Sequence, residues 1–139
     1  MSRNCKYSKI IIGSNNNNKI REIKTFFKIF KIKGVTFVTP KELGIDSPEE
    51  TQTTFTGNAE LKARYFAQHS NLPAIADDSG IAIDALNGLP GVYTADWAGP
   101  NRDFKIGLTK VREELAKIGN DDKYPRVRGI CALSFCDPI

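Results

Sequence analysis

Ser14-Asn15-Asn16-Asn17-Asn18-Lys19 sets six polar side chains in one run, the last of them a cation. The run stands between a predicted strand and the start of a predicted helix. Such a position offers unpaired backbone N–H groups and the positive end of the helix dipole, which together favour phosphate. Asparagine tolerates the left-handed conformations that a tight loop needs, and its amide donates to phosphate oxygens. Lys19 adds a full positive charge at the rim. The spacing is not that of a GxxxxGK[ST] loop. The plainer alternative is a surface turn followed by a solvated lysine.

Ala76-Asp77-Asp78-Ser79-Gly80 puts two carboxylates side by side. Adjacent carboxylates repel unless one is protonated, hydrogen-bonded or bound to a cation. In an extended chain they point to opposite sides, so the two need not share a role. One can cap backbone N–H groups while the other holds Mg²⁺ or deprotonates water; an Asx-turn between two strands explains the same residues. A third acidic piece is Asp46-Ser47-Pro48-Glu49-Glu50-Thr51, able to supply a carboxylate to Mg²⁺ or simply to be solvated. Asn58 and Lys62 lie four apart and share a helix face, from which Lys62 reaches a phosphate or snorkels to water. His69 is the only histidine and sits near a helix C-terminus, so no Ser-His-Asp or Cys-His arrangement is available.

The elements that carry these residues follow from periodicity. Lys9–Gly13 reads as a short buried strand, its isoleucines β-branched and its end marked by glycine. From Lys19 the apolar residues Ile20, Ile23, Phe27 and Phe30 recur at helical spacing, with Gly34 as the expected stop. Val35–Thr39 is the next strand, ended by Pro40. A second helix runs from about Phe55 to Ser70-Asn71. Pro73–Ala76 and Ile81–Leu86 are expected as two strands separated by the aspartate turn. The third helix steps through Phe104, Leu108, Val111, Leu115 and Ile118, with Asn101 as its expected cap and Gly119 as its stop. A last strand sets Val127, Cys131, Leu133 and Phe135 on one face. Strands alternating with helices give an α/β fold around a mixed sheet.

With 139 residues, 40% hydrophobic and 26% charged, the chain is expected to form a single soluble domain over 1–139. Its longest apolar run near the start, Ile10–Ile12, is too short for a signal-peptide core or a membrane span, so a cytoplasmic location is expected. Three cysteines without CxxC spacing support neither a disulfide framework nor a zinc site. The net charge of +4 is unevenly spread. Before Lys41 the only acid is Glu22, whereas Glu42 to Glu60 contains no Lys or Arg. A basic first segment suits an anionic partner, but the acidic stretch after it interrupts any continuous nucleic-acid groove.

Four segments in order carry a resemblance. They are Ser14-x-Asn16-x-x-Lys19-x-x-Glu22-Ile23, Thr54-Phe55-x-x-Asn58-Ala59-x-x-Lys62-Ala63, Ala76-Asp77-Asp78-Ser79-Gly80 and Gly88-x-Pro90-Gly91-Val92-Tyr93-x-Ala95. Over about Ile10 to Leu133 the chain resembles the inosine triphosphate pyrophosphatase family, which acts on non-standard purine nucleoside triphosphates. The resemblance implies an elongated mixed sheet flanked by helices, a nucleotide cleft, Mg²⁺ as cofactor and a homodimer, with neither nucleic acid nor membrane as partner. It implies hydrolysis of ITP, dITP or XTP to the monophosphate and pyrophosphate. By position it makes Ser14, Asn15, Asn16, Asn17, Asn18 and Lys19 the triphosphate loop, with Lys62 and Ser79 as further substrate contacts. Asp78 becomes the general base, and Glu50 and Asp78 the metal carboxylates.

The match departs from the family pattern at Gln52, commonly Gly, at Gly57, commonly an acid, and at Asp96, commonly Arg. The family's later Phe-Gly-Tyr-Asp and Ser-His-Arg motifs have no counterpart before Ile139, so the domain is expected to be incomplete at its C-terminus. Two other classes remain beside the enzyme: a catalytically impaired nucleotide-binding fragment acting through dimerisation or a partner, and a basic nucleic-acid module suggested only by the N-terminal charge.

Overall fold

The computed structural model describes residues 3–139. In chain order its regular elements are β1 (Arg3–Asn4), β2 (Lys9–Ile12), α1 (Asn17–Ile29), β3 (Ile32–Lys33) and β4 (Thr36–Val38). There follow α2 (Pro40–Leu43), α3 (Phe55–Ser70), β5 (Ala74–Ile83), α4 (Thr94–Ala98), α5 (Phe104–Lys117) and β6 (Val127–Cys136). Strands β4, β2, β5 and β6 form a four-stranded sheet in that order, and β1 and β3 a parallel pair. Strand β2 runs parallel to both β4 and β5, with Ile11 opposite Val38 on one side and Ala74 on the other. This is the α/β class with a mixed sheet expected from the sequence. Among the described residues, no helix is long and apolar enough to cross a membrane.

The chain packs into two compact units. The first takes residues up to Gln52, then Thr56–Asp77 and Leu133–Ile139; the second takes Thr53–Phe55 and Asp78–Ala132. In the first unit, the three isoleucines of β2 are all buried because helices cover both faces of the strand. Ile10 and Ile12 meet Ile23 of α1 and Ile75, with Phe27 and Phe37 packed edge to face beside them. Ile11 faces the other way, onto Phe66 and Ala67 of α3. In the second unit Ile83, Leu86, Val111 and Leu115 form the core, and Trp97 closes it from one side.

Several sequence expectations change. Helix α1 ends at Ile29, before Gly34, because Lys31 takes a left-handed φ of 53° and turns the chain into β3. Pro40 ends β4 and also begins α2, where Thr39 Oγ1 accepts from the Glu42 N–H. The expected aspartate turn is absent: β5 runs unbroken through Asp77–Gly80 and stops at Ile83, with Asp84–Leu86 forming a short 3₁₀ turn. Pairing with neighbouring strands outweighs the turn preference of Asp-Ser-Gly there. The cap of α5 is Asp103, whose carboxylate accepts from the Lys105 N–H, and not Asn101. Of the α5 stripe only Val111 and Leu115 are buried, while Phe104, Leu108 and Ile118 are exposed. The apolar face of β6 alternates as expected but is the exposed face, carrying Val127, Cys131, Leu133 and Phe135.

Candidate nucleotide site

Gly13 ends β2 with its N–H donating to Ile75 O at 2.7 Å, which fixes where the asparagine loop leaves the sheet. No side chain fits at Gly13. A Cβ there would stand 2.5 Å from the ring of Phe66, itself fully buried. Ser14 Oγ then accepts from the Asn16 N–H at 3.0 Å, and Asn16 Oδ1 accepts from the N–H groups of Asn18 (3.0 Å) and Lys19 (3.4 Å). Asn16 is therefore the N-cap of α1, and the carboxamide satisfies two of the helix's terminal amides. Asn15 reaches out of the loop, its Nδ2 donating to Ser47 Oγ at 2.7 Å. Around this junction lies a cavity of about 1000 Å³, walled by Ser14, Asn15 and Asn17 on one side and by Asp46 and Ser47 on another. Lys24 and Lys41 line it as well.

Lys19 projects from the first turn of α1 and places its Nζ 3.2 Å from Glu22 and 3.6 Å from Asp77 Oδ2. Asp77 is only 6% exposed, so the lysine holds its charge beside a carboxylate set into the protein. The structure pairs Lys19 with Asp77, the first of the two adjacent carboxylates. Position alone does not signal this, since which of two adjacent carboxylates faces α1 depends on the register of β5.

The acidic loop is fastened to α3. Lys62 Nζ bonds Glu50 Oε1 at 2.9 Å, and the buried Asn58 bonds the backbone of Gln52. Ser14–Lys19, Glu50, Lys62 and Asp77 all belong to the first unit, and Asp78 and Ser79 to the second. Among the described residues no group of three or more His, Cys, Asp or Glu side chains gathers as a metal cage. His69 stacks on Tyr65 at 3.9 Å, with Nδ1 2.8 Å from Tyr65 O.

In the second unit Asp78 is 7% exposed and stands two residues before Gly80. Gly80 is where two of the sequence motifs meet. Thr94 Oγ1 accepts from the Ile81 N–H at 3.0 Å and donates to Gly91 O at 2.6 Å. Thr94 thereby links the strand bearing Asp78 and Ser79 to the Gly88–Ala95 segment. It occupies the unspecified position of that motif, so no signal in the residue pattern singled it out. Farther along, Arg126 and Arg128 both pair with Asp84, at 3.5 and 3.2 Å.

With this geometry in hand, comparison with known proteins gives one answer. The sequence profile of the Ham1 family matches residues 10–139. A protein of Rhodospirillum centenum named dITP/XTP pyrophosphatase is 45% identical over 129 residues, which cover 93% of this chain and 62% of that protein. One of the same name from Bartonella henselae is 46% identical over 121 residues, or 85% of this chain and 55% of its own. The chain thus spans about six-tenths of the length of the curated relatives it matches. Among solved structures, a HAM1 protein from Coxiella burnetii superposes with a TM-score of 0.79 at 35% identity, covering 93% of this chain and 63% of that one. A dITP/XTP pyrophosphatase from Mycobacterium abscessus gives 0.77 at 31% identity, covering 94% and 66%. With 130 residues matched by the profile and a fold shared with solved members, the chain belongs to the Ham1 family.

Proposed function

We propose that this chain takes part in hydrolysing non-standard purine nucleoside triphosphates, of the ITP, dITP and XTP type, to the monophosphate and pyrophosphate. The observation that carries the reading is Lys19, held at the N-terminus of α1 between an asparagine loop and the buried Asp77. The names of the relatives support the substrate class. A triphosphate brings about four negative charges, and the first task of its site is to offset them with donors already in place. The Ser14–Lys19 loop does this with the positive end of α1 and the Lys19 ammonium; Lys62 adds a second cation from α3.

Asp78 is the proposed general base. Its carboxylate takes the proton of a water that attacks the α-phosphorus, while the bond from the α-phosphorus to the bridging oxygen breaks and pyrophosphate leaves. Ser79 contacts the substrate. Glu50 and Asp78 each offer the hard oxygen donors that Mg²⁺ prefers, and an ion of this kind commonly takes one or two carboxylates, with waters and phosphate oxygens for the rest. Bound there, Mg²⁺ would supply charge neutralisation on the phosphates. The resemblance extends the reading to a homodimer in the cytoplasm, which light scattering and cell fractionation test.

The deciding measurement is product analysis with ITP, dITP, XTP and GTP in the presence of Mg²⁺. Pyrophosphate is expected from the first three, with Asp78→Asn and Lys19→Ala each lowering the rate by about 10² to 10⁴-fold. Release of orthophosphate alone, or equal speed on ATP, overturns it. Nucleotide binding without turnover replaces it with the reading of a binding fragment.

A further inference from the structure

Residues 45–52 carry no regular secondary structure, yet Glu50 lies among them and its role requires a fixed carboxylate. A segment of this kind is placed by whatever side chains reach its backbone. The N–H of Gln52 donates to Asn58 Oδ1 at 2.9 Å, and the Gln52 carbonyl accepts from Asn58 Nδ2 at 3.4 Å. One carboxamide thus bonds both polar groups of one residue, as a neighbouring strand would. Asn58 is 1% exposed, and a buried primary amide without such partners is expensive. One helical turn on, Lys62 holds the Glu50 carboxylate at 2.9 Å.

We propose that Asn58 is a positioning residue that acts through Glu50. Its carboxamide latches the acidic loop to α3 at Gln52, so that the carboxylate two residues earlier is held in one place against Lys62. The inference rests on the function proposed above for Glu50, but the latch itself is a property of the unliganded protein. It also explains how Gln52 stands at a position where the resemblance leads one to expect glycine: the bonds use only its backbone, and its side chain is exposed.

Two measurements on the whole chain test this, with Asn58→Ser removing both bonds and Asn58→Asp keeping the acceptor but losing the donor. The first is amide hydrogen exchange without metal or nucleotide. The Gln52 amide is expected to exchange about tenfold or more faster in Asn58→Ser, with Asn58→Asp between it and the parent, while the Ile11 amide in the core is unchanged. If Gln52 exchanges as in the parent, or if Gln52 and Ile11 accelerate in step, there is no local latch and the proposal falls. Should Asn58→Ser not fold, the same comparison made with Asn58→Asp decides. The second is Mn²⁺ binding by calorimetry. Asn58→Ser is expected to weaken it about tenfold, as removal of a supporting partner does. In a Glu50→Gln background the same substitution is expected to cost nothing further, because its effect runs through that carboxylate. An equal loss in both backgrounds overturns the positioning role. If Glu50→Gln alone leaves Mn²⁺ affinity untouched, it is the metal assignment of Glu50 that fails, and the exchange result alone then decides the latch.

Discussion

Gly80 has room for no side chain at all. A Cβ built on it would meet Thr94 Oγ1 at 2.5 Å, Gly91 O at 2.8 Å and Phe55 Cε1 at 2.9 Å, neighbours on two separate pieces of chain. One of these is backbone, and Thr94 is itself committed to Ile81 and Gly91. The contacts therefore cannot all yield by rotating a side chain. Gly80→Ala is expected to destabilise the protein by about 1–3 kcal/mol, the usual cost of overpacking, read as a lower urea midpoint at unchanged slope. Since Asp78 and Ser79 precede it on the same strand, the substitution should also depress turnover more than its effect on stability explains. Equal stability of Gly80→Ala and parent would mean that the Gly91 segment moves aside freely, against the tie that Thr94 makes.

At the scale of elements, the ends of α5 illustrate what the sequence could and could not tell. The helix itself was legible from its stepping of apolar residues, as were β2, α1 and α3. Its cap was misread: Asn101 and Asp103 are both good caps, and only the backbone geometry selects Asp103. Asp103→Ala is expected to cost about 1 kcal/mol of stability and Asn101→Ala only a few tenths, a contrast that thermal melts of the two variants resolve. The larger misreading was β5. Asp-Ser-Gly is turn chemistry locally, and what overrides it is membership of a strand that lies in a sheet beside β6, which a periodicity argument does not contain. The site divides in the same way. Lys19 and the asparagine loop were legible because strand, loop and helix start are contiguous. The pairing of Lys19 with Asp77, and of Lys62 with Glu50, joins residues distant in sequence and had no local signal.

Across the whole molecule, charge is distributed by unit. The first has twelve basic against eight acidic residues and the second eight against eight, so the entire net charge of +4 sits with the asparagine loop and Lys19. That unit is also where distant parts of the chain meet, through Tyr7, whose hydroxyl donates to Asp137 while its ring packs 5.5 Å from Phe135. The Tyr7 hydroxyl, helped by the Ile139 N–H, holds the Asp137 carboxyl below its ordinary range; the same bond pushes the Tyr7 hydroxyl up. The signs give two limbs. Asp137 contributes stability that is present above the ordinary carboxylate range and lost as pH falls through its depressed value. Tyr7 contributes stability that is present below the ordinary phenol range and lost as pH rises through its raised value. Both groups are only partly buried, so the effect is small and weakened by salt. Tyr7→Phe is expected to flatten the melting temperature against pH at both extremes while leaving the loss of the ring contact slight. Unchanged limbs in that variant would assign them to other groups.

The unbroken course of β5 bears on how this protein can vary. Its side chains alternate in direction, so removing one residue between Ala74 and Asp77 would bring Asp78 into the place of Asp77 and carry Asp77 to the opposite face. The acid now facing the lysine would be turned toward the other side, and its neighbour would inherit the ion pair. Every residue type could be retained and the chemistry still scrambled. Within that short stretch, counting matters as much as composition, because the loss of one codon moves both acids at once.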